Sequence, residues 1–316
     1  MNKCNVKVIR AFDGKCDGVW FSYDVINPTE SYKRDNFFCE WGDEELKIIQ
    51  KKELDILKEI IAVCERHNIT YYAAGGTLLG TIRHQGFIPW DDDIDIEIIR
   101  PDYNKFIKYA KKELPSHLKL ENWKLAPGKS KVPYLKVLDT TTEIMQNYAS
   151  KPVYTNLYID IFPFDGMPDP DSITGKLYKI KYLALRVFRN YADMDNIHMH
   201  RKNRPFIERA LIKFGMLTRI DRILDFDKIM RKSEAQLCKY NFHKSSYYIS
   251  GYGNAKLREI MPSYYYGKGK KYKFEDIMIN GPAKPERVLK QLYGDFMKMP
   301  PENERNLQHN TTVIKL

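Results

Sequence analysis

Two hydrophobic periods alternate along the chain. From Asp43 to His67, Leu46, Ile49, Leu57, Ile60 and Cys64 recur every three or four residues with one skip, the spacing of a helix with one buried face. Asp43 stands where it can cap that helix, and Asn68 ends it. Ile69–Ala73 is then a short apolar run of strand type. Between Asp91 and Ile98 the period drops to two: Asp91, Asp93, Asp95 and Glu97 are spaced by two, with Ile94 and Ile96 between the last three. This pattern predicts a strand with one buried face and a row of acids on the other. Pro101 opens a second helix over Asp102–Leu114, with Tyr103, Phe106, Ile107 and Ala110 inward. Strands are predicted over Leu118–Leu125, Tyr134–Gln146 and Leu157–Phe162, and a helix over Pro285–Tyr293. The mixture predicts an α/β (α+β) fold, a mixed sheet flanked by helices.

Four segments follow from this pattern. Residues 1–42 are a poorly patterned lead-in packed on the core, with Phe12, Trp20, Phe37 and Trp41 scattered among charges. Residues 43–172 form the core, 173–245 a basic helical insertion, and 246–316 a C-terminal segment completing the same domain. In the insertion, Leu177, Ile180, Leu183, Leu185, Val187 and Phe188 interleave with Lys176, Lys179, Lys181, Arg186 and Arg189. The expectation is an amphipathic helix with its apolar side inward and its charges solvated; docking on an anionic membrane is the other reading. The stretch His198–Lys202 reads as a loop without metal-ligand spacing.

Composition narrows the class. A chain of 316 residues with 43% hydrophobic and 29% charged residues can bury a full core as an ordinary globular protein. It has no run of roughly eighteen apolar residues, and Asp13, Lys15 and Asp17 interrupt any signal-peptide core. The expectation is a cytoplasmic protein, with peripheral attachment to the inner face of the cell membrane as its extension. Cys4, Cys16, Cys39, Cys64 and Cys238 form no Cys-x-x-Cys pair, so reduced thiols are expected, not a zinc site. The net charge of +11 calls for an acidic partner. No nucleic-acid-binding motif accompanies it, so nucleic acid is not expected; phosphorylated substrates and an anionic leaflet fit the charge.

The acids carry the candidate chemistry. Like charges on one strand face are costly unless cations sit there, and hard oxygen ligands suit Mg²⁺, or alternatively Mn²⁺. A calcium loop does not fit: Ile96 stands where the turn needs Gly, and Asp102 where Glu is usual. Upstream, Gly75 and Gly76 lack a Cβ, so their backbone N–H groups can approach a phosphate. Thr77 can cap a short helix over Leu78–Arg83, whose N-terminus favours an anion; a tight turn without a ligand is the bland alternative. Arg83 can pair with a phosphate or with Asp91 or Asp92. His84 is a general base, a ligand or a loop residue, and Trp90 either stacks on a base or sugar or simply packs. Asp160 lies mid-strand, where a carboxylate is costly unless paired. The tyrosines Tyr247, Tyr248, Tyr252 and Tyr264–Tyr266 could form a cage for a quaternary ammonium, but strand propensity also explains them.

The run GGTLLGTIRHQGFIPWDDDIDI, continuing through Arg100-Pro101-Asp102-Tyr103, resembles the signature of the LicD family. These are bacterial phosphocholine transferases of the nucleotidyltransferase superfamily, related to the fukutin-type ribitol-phosphate transferases. Similarity extends to Asp160-Ile161-Phe162-Pro163 and on to Gly166, and covers residues 70–103, 157–168 and 272–309. The resemblance implies a nucleotidyltransferase-like mixed sheet flanked by helices, with a helical insertion. It implies Asp93, Asp95 and Asp160 as catalytic metal carboxylates, with Asp91 a further ligand or support; a salt bridge to Arg or Lys is the other reading of Asp160. Gly75, Gly76, Thr77 and Arg83 would hold donor phosphates, and His84, Trp90 and His309 would touch substrate. Gln308-His309-Asn310 stands where the family suggests a His pair. The implied reaction moves a phospho-substituent, phosphocholine first, from a CDP-activated donor such as CDP-choline to a hydroxyl of a cell-surface or lipid-linked glycan (lipopolysaccharide, teichoic acid or capsule), releasing CMP. Phosphoethanolamine, an aminoalkylphosphonate or a polyol phosphate are the variants. Two other classes compete: a nucleotide-sugar glycosyltransferase, since Asp91-Asp92-Asp93 fits an acid-x-acid metal pattern, and a non-catalytic binder of anionic surfaces.

Overall fold

In the computed structural model the described residues are 43–146, 152–197, 206–301, 305 and 311–316. The expectations for the lead-in 1–42, for Cys4, Cys16 and Cys39, for His198–Lys202 and for His309 lie outside them.

The first helix, α1 (Asp43–Arg66), buries the expected stripe, Ile49, Leu57, Ile60 and Cys64. After it come β1 (Tyr71–Ala73), α2 (Gly75–His84), β2 (Asp95–Ile99) and α3 (Arg100–Glu113). The strands β3 (Leu118–Glu121), β4 (Leu135–Gln146) and β5 (Val153–Met167) follow. The insertion is helical as expected: α4 (Ile173–Ala192), α5 (Phe206–Thr218) and α6 (Phe226–Leu237). The chain then returns as β6 (Tyr247–Ser250), β7 (Ile260–Pro262), the hairpin β8 (Lys270–Phe274) and β9 (Ile277–Gly281), α7 (Pro285–Tyr293) and β10 (Thr311–Lys315).

The principal sheet has the order β1-β2-β5-β4-β10, with β3 on β4, β6 on β5 and β7 on β6. It is mixed: β2 and β5 run parallel, while β1–β2, β3–β4, β4–β5, β5–β6 and β6–β7 are antiparallel. Ile96 and Ile98 of β2, Ile159 and Ile161 of β5, Leu57 and Ile60 of α1 and Phe106 of α3 share one fully buried core. A bidentate pair fastens β5 to α3: Arg100 Nε and Nη2 donate to the two oxygens of fully buried Asp165 at 2.5 and 2.7 Å.

Several boundaries differ from the sequence expectation. β2 begins at Asp95, so Asp91–Asp93 precede the strand. The Asp91 N–H is spent on the Ile88 carbonyl (2.9 Å) and the Asp91 carbonyl on Gln50 Nε2 (2.9 Å), which leaves neither for a ladder. Helix α2 begins at Gly75, not Leu78, and its cap position is Ala74, not Thr77. Gly75 takes φ +48, a left-handed turn that an L side chain resists, and this brings the helix start forward. Thr77 is therefore inside the helix, buried, where its hydroxyl accepts from the Asp95 amide at 2.8 Å. β3 stops at Glu121 because the Asn122 side chain accepts from the Lys124 and Leu125 amides and turns the chain.

The expected orientation of α4 holds only in part: Leu183 packs on the buried cluster and Lys176 and Lys181 are exposed, but most of the named aliphatic residues are not inward. Leu177, Ile180, Val187 and Phe188 are 50–66% exposed, and the inward residues are Gly175, Tyr178, Tyr182, Arg189 and Ala192. The tyrosines fill the space against α6 and β5 with larger side chains than the leucines offer. No helix among the described residues is long and apolar enough to cross a membrane.

Candidate active site

The parallel pairing of β2 with β5 sets Asp95 directly opposite Asp160. Just before β2, one carboxylate oxygen from each of Asp91, Asp92 and Asp93 lies within 4.8 Å of the others. Helix α2 starts against this group. A Cβ added to Gly76 would stand 2.8 Å from Asp91 Oδ2, and one added to Gly75 would stand 3.2 Å from Asp95 Oδ2. The glycines are thus the means by which a helix N-terminus reaches the carboxylates. Its unsatisfied amides and positive dipole end face the same space, where a phosphate would also be favoured.

Three residues that the sequence reading did not single out belong to this group. Glu53 of α1 is 2% exposed, and its Oε2 has no hydrogen-bond partner. Burial, then the charges of Asp93, Asp92, Asp91 and Asp95, push its carboxyl well above the usual range. Its signal was present as the skip in the α1 stripe, four residues after Ile49 and four before Leu57. Lys136 of β4 lies opposite Asp160 in register, with Nζ 3.4 Å from Oδ1 and 3.1 Å from the centre of the Tyr158 ring. The salt-bridge reading of Asp160 is therefore present in the structure. Burial pulls the Lys136 ammonium down, against Asp160, Glu121 and Asp95, which hold it up. Tyr134, just before β4, has its phenol raised by burial and then by Asp160, Tyr158 and Asp95.

At the far end of α2, Arg83 donates from Nη1 to the Phe296 carbonyl (3.0 Å) and from Nε to His84 Nε2 (2.9 Å). Burial and Arg305 lower its pKa, while Asp91 opposes them. His84 is lowered by burial and by Arg83, and its ring meets Trp90 edge-on at 6.4 Å. The Arg305 guanidinium lies 5.3 Å from the Trp90 ring centre. Arg83, His84 and Trp90 thus form one cationic and aromatic rim beside the acids.

The donor set suits a hard divalent cation. Five aspartates and a buried glutamate with an orphaned oxygen converge here, with Lys136 beside Asp160. Oxygen ligands are what Mg²⁺ and Mn²⁺ take, and acids crowded in this way are costly unless a cation joins them.

Comparison with known proteins agrees with this geometry. The family model for the LicD/FKTN/FKRP nucleotidyltransferase domain matches residues 68–190, which span α2, β2, β5 and most of α4. A lipopolysaccharide cholinephosphotransferase LicD of Haemophilus influenzae is 30% identical over 260 residues, covering 81% of this chain and 92% of that protein. Uncharacterized proteins of Rickettsia typhi and Rickettsia prowazekii are 44% identical over 59 and 67 residues, 18% and 19% of this chain and 19% and 25% of theirs. The matched span, and a relative aligned over most of both chains, place this protein in the LicD family.

Proposed function

We propose that the protein transfers phosphocholine from CDP-choline to a hydroxyl of a lipopolysaccharide-type glycan and releases CMP. One observation carries the reading: Asp95 and Asp160 are paired in register beneath the N-terminus of α2, in a chain that resembles a lipopolysaccharide cholinephosphotransferase along most of its length. Asp91, Asp93, Asp95 and Asp160 would hold Mg²⁺ or Mn²⁺. Such an ion supplies charge neutralisation for a pyrophosphate and for the phosphoryl group in transfer. The chain's own groups do the rest. The first amides of α2, at Gly75, Gly76 and Thr77, bind donor phosphate oxygens, and Arg83 adds a guanidinium at the other end of that helix. Asp160, ion-paired to Lys136, takes the acceptor's hydroxyl proton as its oxygen attacks phosphorus and CMP departs. Trp90 and His84 bound the cytidine side of the cleft.

The deciding experiment measures CMP release from CDP-choline with Mg²⁺ and a lipopolysaccharide acceptor, beside CDP-ethanolamine, CDP-ribitol, UDP-glucose and GDP-mannose. CMP release with CDP-choline supports the reading. Turnover confined to the UDP- or GDP-sugar replaces it with glycosyl transfer, and binding without any turnover replaces it with a non-catalytic role.

On this reading the glycan is reached at an anionic membrane surface, a position supported by α4 and α5. Ile173, Leu177, Ile180, Phe188, Leu217 and Ile223 are more than half exposed, among exposed Lys176, Lys181, Lys213, Arg219 and Arg222. Exposed apolar side chains flanked by cations match the interface of an anionic leaflet. Co-sedimentation with phosphatidylglycerol vesicles, but not with phosphatidylcholine vesicles, is the expected result. Equal recovery with both would remove this part.

A further inference from the structure

One more side chain reaches the acids, from the C-terminal part of the fold. Tyr293 is the last residue of α7, and 46% of it is exposed. Its hydroxyl nevertheless lies at the start of α2: a Cβ built on Gly75 would stand 3.8 Å from Tyr293 Oη and 3.2 Å from Asp95 Oδ2. The phenol is raised by burial and then by the charges of Asp95, Asp91, Asp93 and Glu259. It acts in turn on Arg83. The hydroxyl is thus beside the first residue of α2 and within electrostatic reach of both the acids and Arg83.

The backbone fixes this residue from both sides. The Leu292 carbonyl accepts from Arg258 Nη1 at 3.1 Å, and the Phe296 carbonyl from Arg83 Nη1 at 3.0 Å. Gln291 Nε2 donates to the Ile260 carbonyl at 2.6 Å and ties the last turn of α7 to β7. Gly294 then takes φ +73, which an L side chain resists, and turns the chain away directly after Tyr293. Val288 and Leu289, one turn earlier, anchor α7 in the main core. A tyrosine kept for packing buries its ring and leaves its polar tip wet. Tyr293 is half open, and its tip is the part that lies over Gly75. Raised by the acids, the phenol keeps its proton and so acts as a hydrogen-bond donor, not as a base. A phosphate held by the first amides of α2 would find that donor next to them.

We propose that Tyr293 is a substrate-contacting residue, its hydroxyl donating to a phosphate oxygen of the donor's diphosphate at the N-terminus of α2. The inference rests on the phosphocholine-transfer reading and adds to that site a residue from α7. The C-terminal part of the chain then serves the reaction directly, as well as closing the fold.

The test titrates the full-length protein and its Tyr293→Phe variant with CDP-choline and with CMP by calorimetry in Mg²⁺, and with Mg²⁺ alone. Urea midpoints and CMP release are measured on the same samples. Tyr293→Phe keeps the ring and removes only the hydroxyl, so the urea midpoint and the affinity for Mg²⁺ alone should match the wild type. CDP-choline affinity should fall about tenfold, the loss of one hydrogen bond to a charged group. A loss shared by CMP assigns the hydroxyl to the phosphate that stays with cytidine, and a loss confined to CDP-choline assigns it to the transferred one. Equal CDP-choline affinity in the two proteins overturns the proposal, and CMP release by both then leaves the transferase reading standing. Weaker binding of Mg²⁺ alone, to the same degree as CDP-choline, makes Tyr293 a support of Asp95 and overturns the substrate contact. Absence of CDP-choline binding by the wild type overturns this inference and the transferase reading together.

Discussion

Around β2 and β5 charge is placed by the backbone, whereas around α4 and α6 it is placed by side chains on the inward face of a helix. Strand register puts Asp95 opposite Asp160 and Lys136 opposite Asp160, and a glycine helix start closes on them. In the insertion, Arg186 and Arg189 are carried inward by the tyrosine face of α4 while Leu177, Ile180 and Val187 look outward. The first region gathers negative charge that a cation would relieve, and the second sets two arginines near the buried carboxyl of Glu259. The largest expected effect therefore falls on the acid side. Asp95→Asn should lower turnover by on the order of a thousandfold or more with the fold intact, because charge stabilisation in phosphoryl transfer depends on the carboxylates. Near-normal CMP release by a folded Asp95→Asn protein would break the comparison.

Lys136 sharpens it. Removing one partner of a largely buried pair leaves the other charge uncompensated and costs about 3–5 kcal/mol, and Lys136 and Asp160 side chains are each 13% exposed. Lys136→Met should lose about that much in urea denaturation. It should also show a larger Mg²⁺-induced rise in melting temperature than the wild type, since the cation then takes over the charge that Lys136 balanced. Equal metal responses would mean that the ion pair and the cation do not share Asp160.

The two regions were also unequally legible. The acid run could be read because its residues are contiguous and its period changes where the strand begins. What could not be read was where the ladder starts, since that depends on a local turn from Ile88 and on Gln50, distant in sequence, taking the Asp91 carbonyl. Lys136 looked like any polar position alternating with Leu135 and Val137, and only register reveals its partner. Glu53 was visible as an interruption in an apolar stripe, yet the interruption does not say that the carboxylate faces other acids. In α4 the pattern misled: with hydrophobic residues on both faces, counting aliphatics selected the wrong one. The buried stripe includes Tyr178, Tyr182 and an arginine, residue types that a polar–apolar reading discounts.

A smaller effect tests electrostatics on the arginine side. Glu259 is pushed up from 4.5 to about 7 in the folded state, chiefly by burial. Between these values the native protein keeps a proton that the unfolded chain has released. The stability tied to Glu259 is therefore full below about pH 4.5 and is lost as pH rises through about 7. On the order of 1–3 kcal/mol should disappear over that window and be absent from the profile of Glu259→Gln. Urea midpoints at pH 5 and pH 8 measure this. Parallel profiles for variant and wild type would show that Arg186 compensates Glu259 more fully than its burial allows.

The smallest effect on stability distinguishes the two faces of α4. Leu177 and Ile180 are 63% and 66% exposed, so replacing both with glutamate removes little packing. Surface changes of this kind stay within roughly 0.5 kcal/mol each, whereas Tyr182→Ala on the inward face, at 4% exposure, should cost roughly 3 kcal/mol or more. If the aliphatic face is an ordinary solvated surface, the double variant should also behave like the wild type toward vesicles. If that face meets an anionic leaflet, the same double variant should keep its urea midpoint and its CMP release on a soluble acceptor, and lose co-sedimentation with phosphatidylglycerol. A double variant that unfolds would instead mean that α4 packs as its aliphatic pattern first suggested, and the contrast between its two faces would have to be withdrawn.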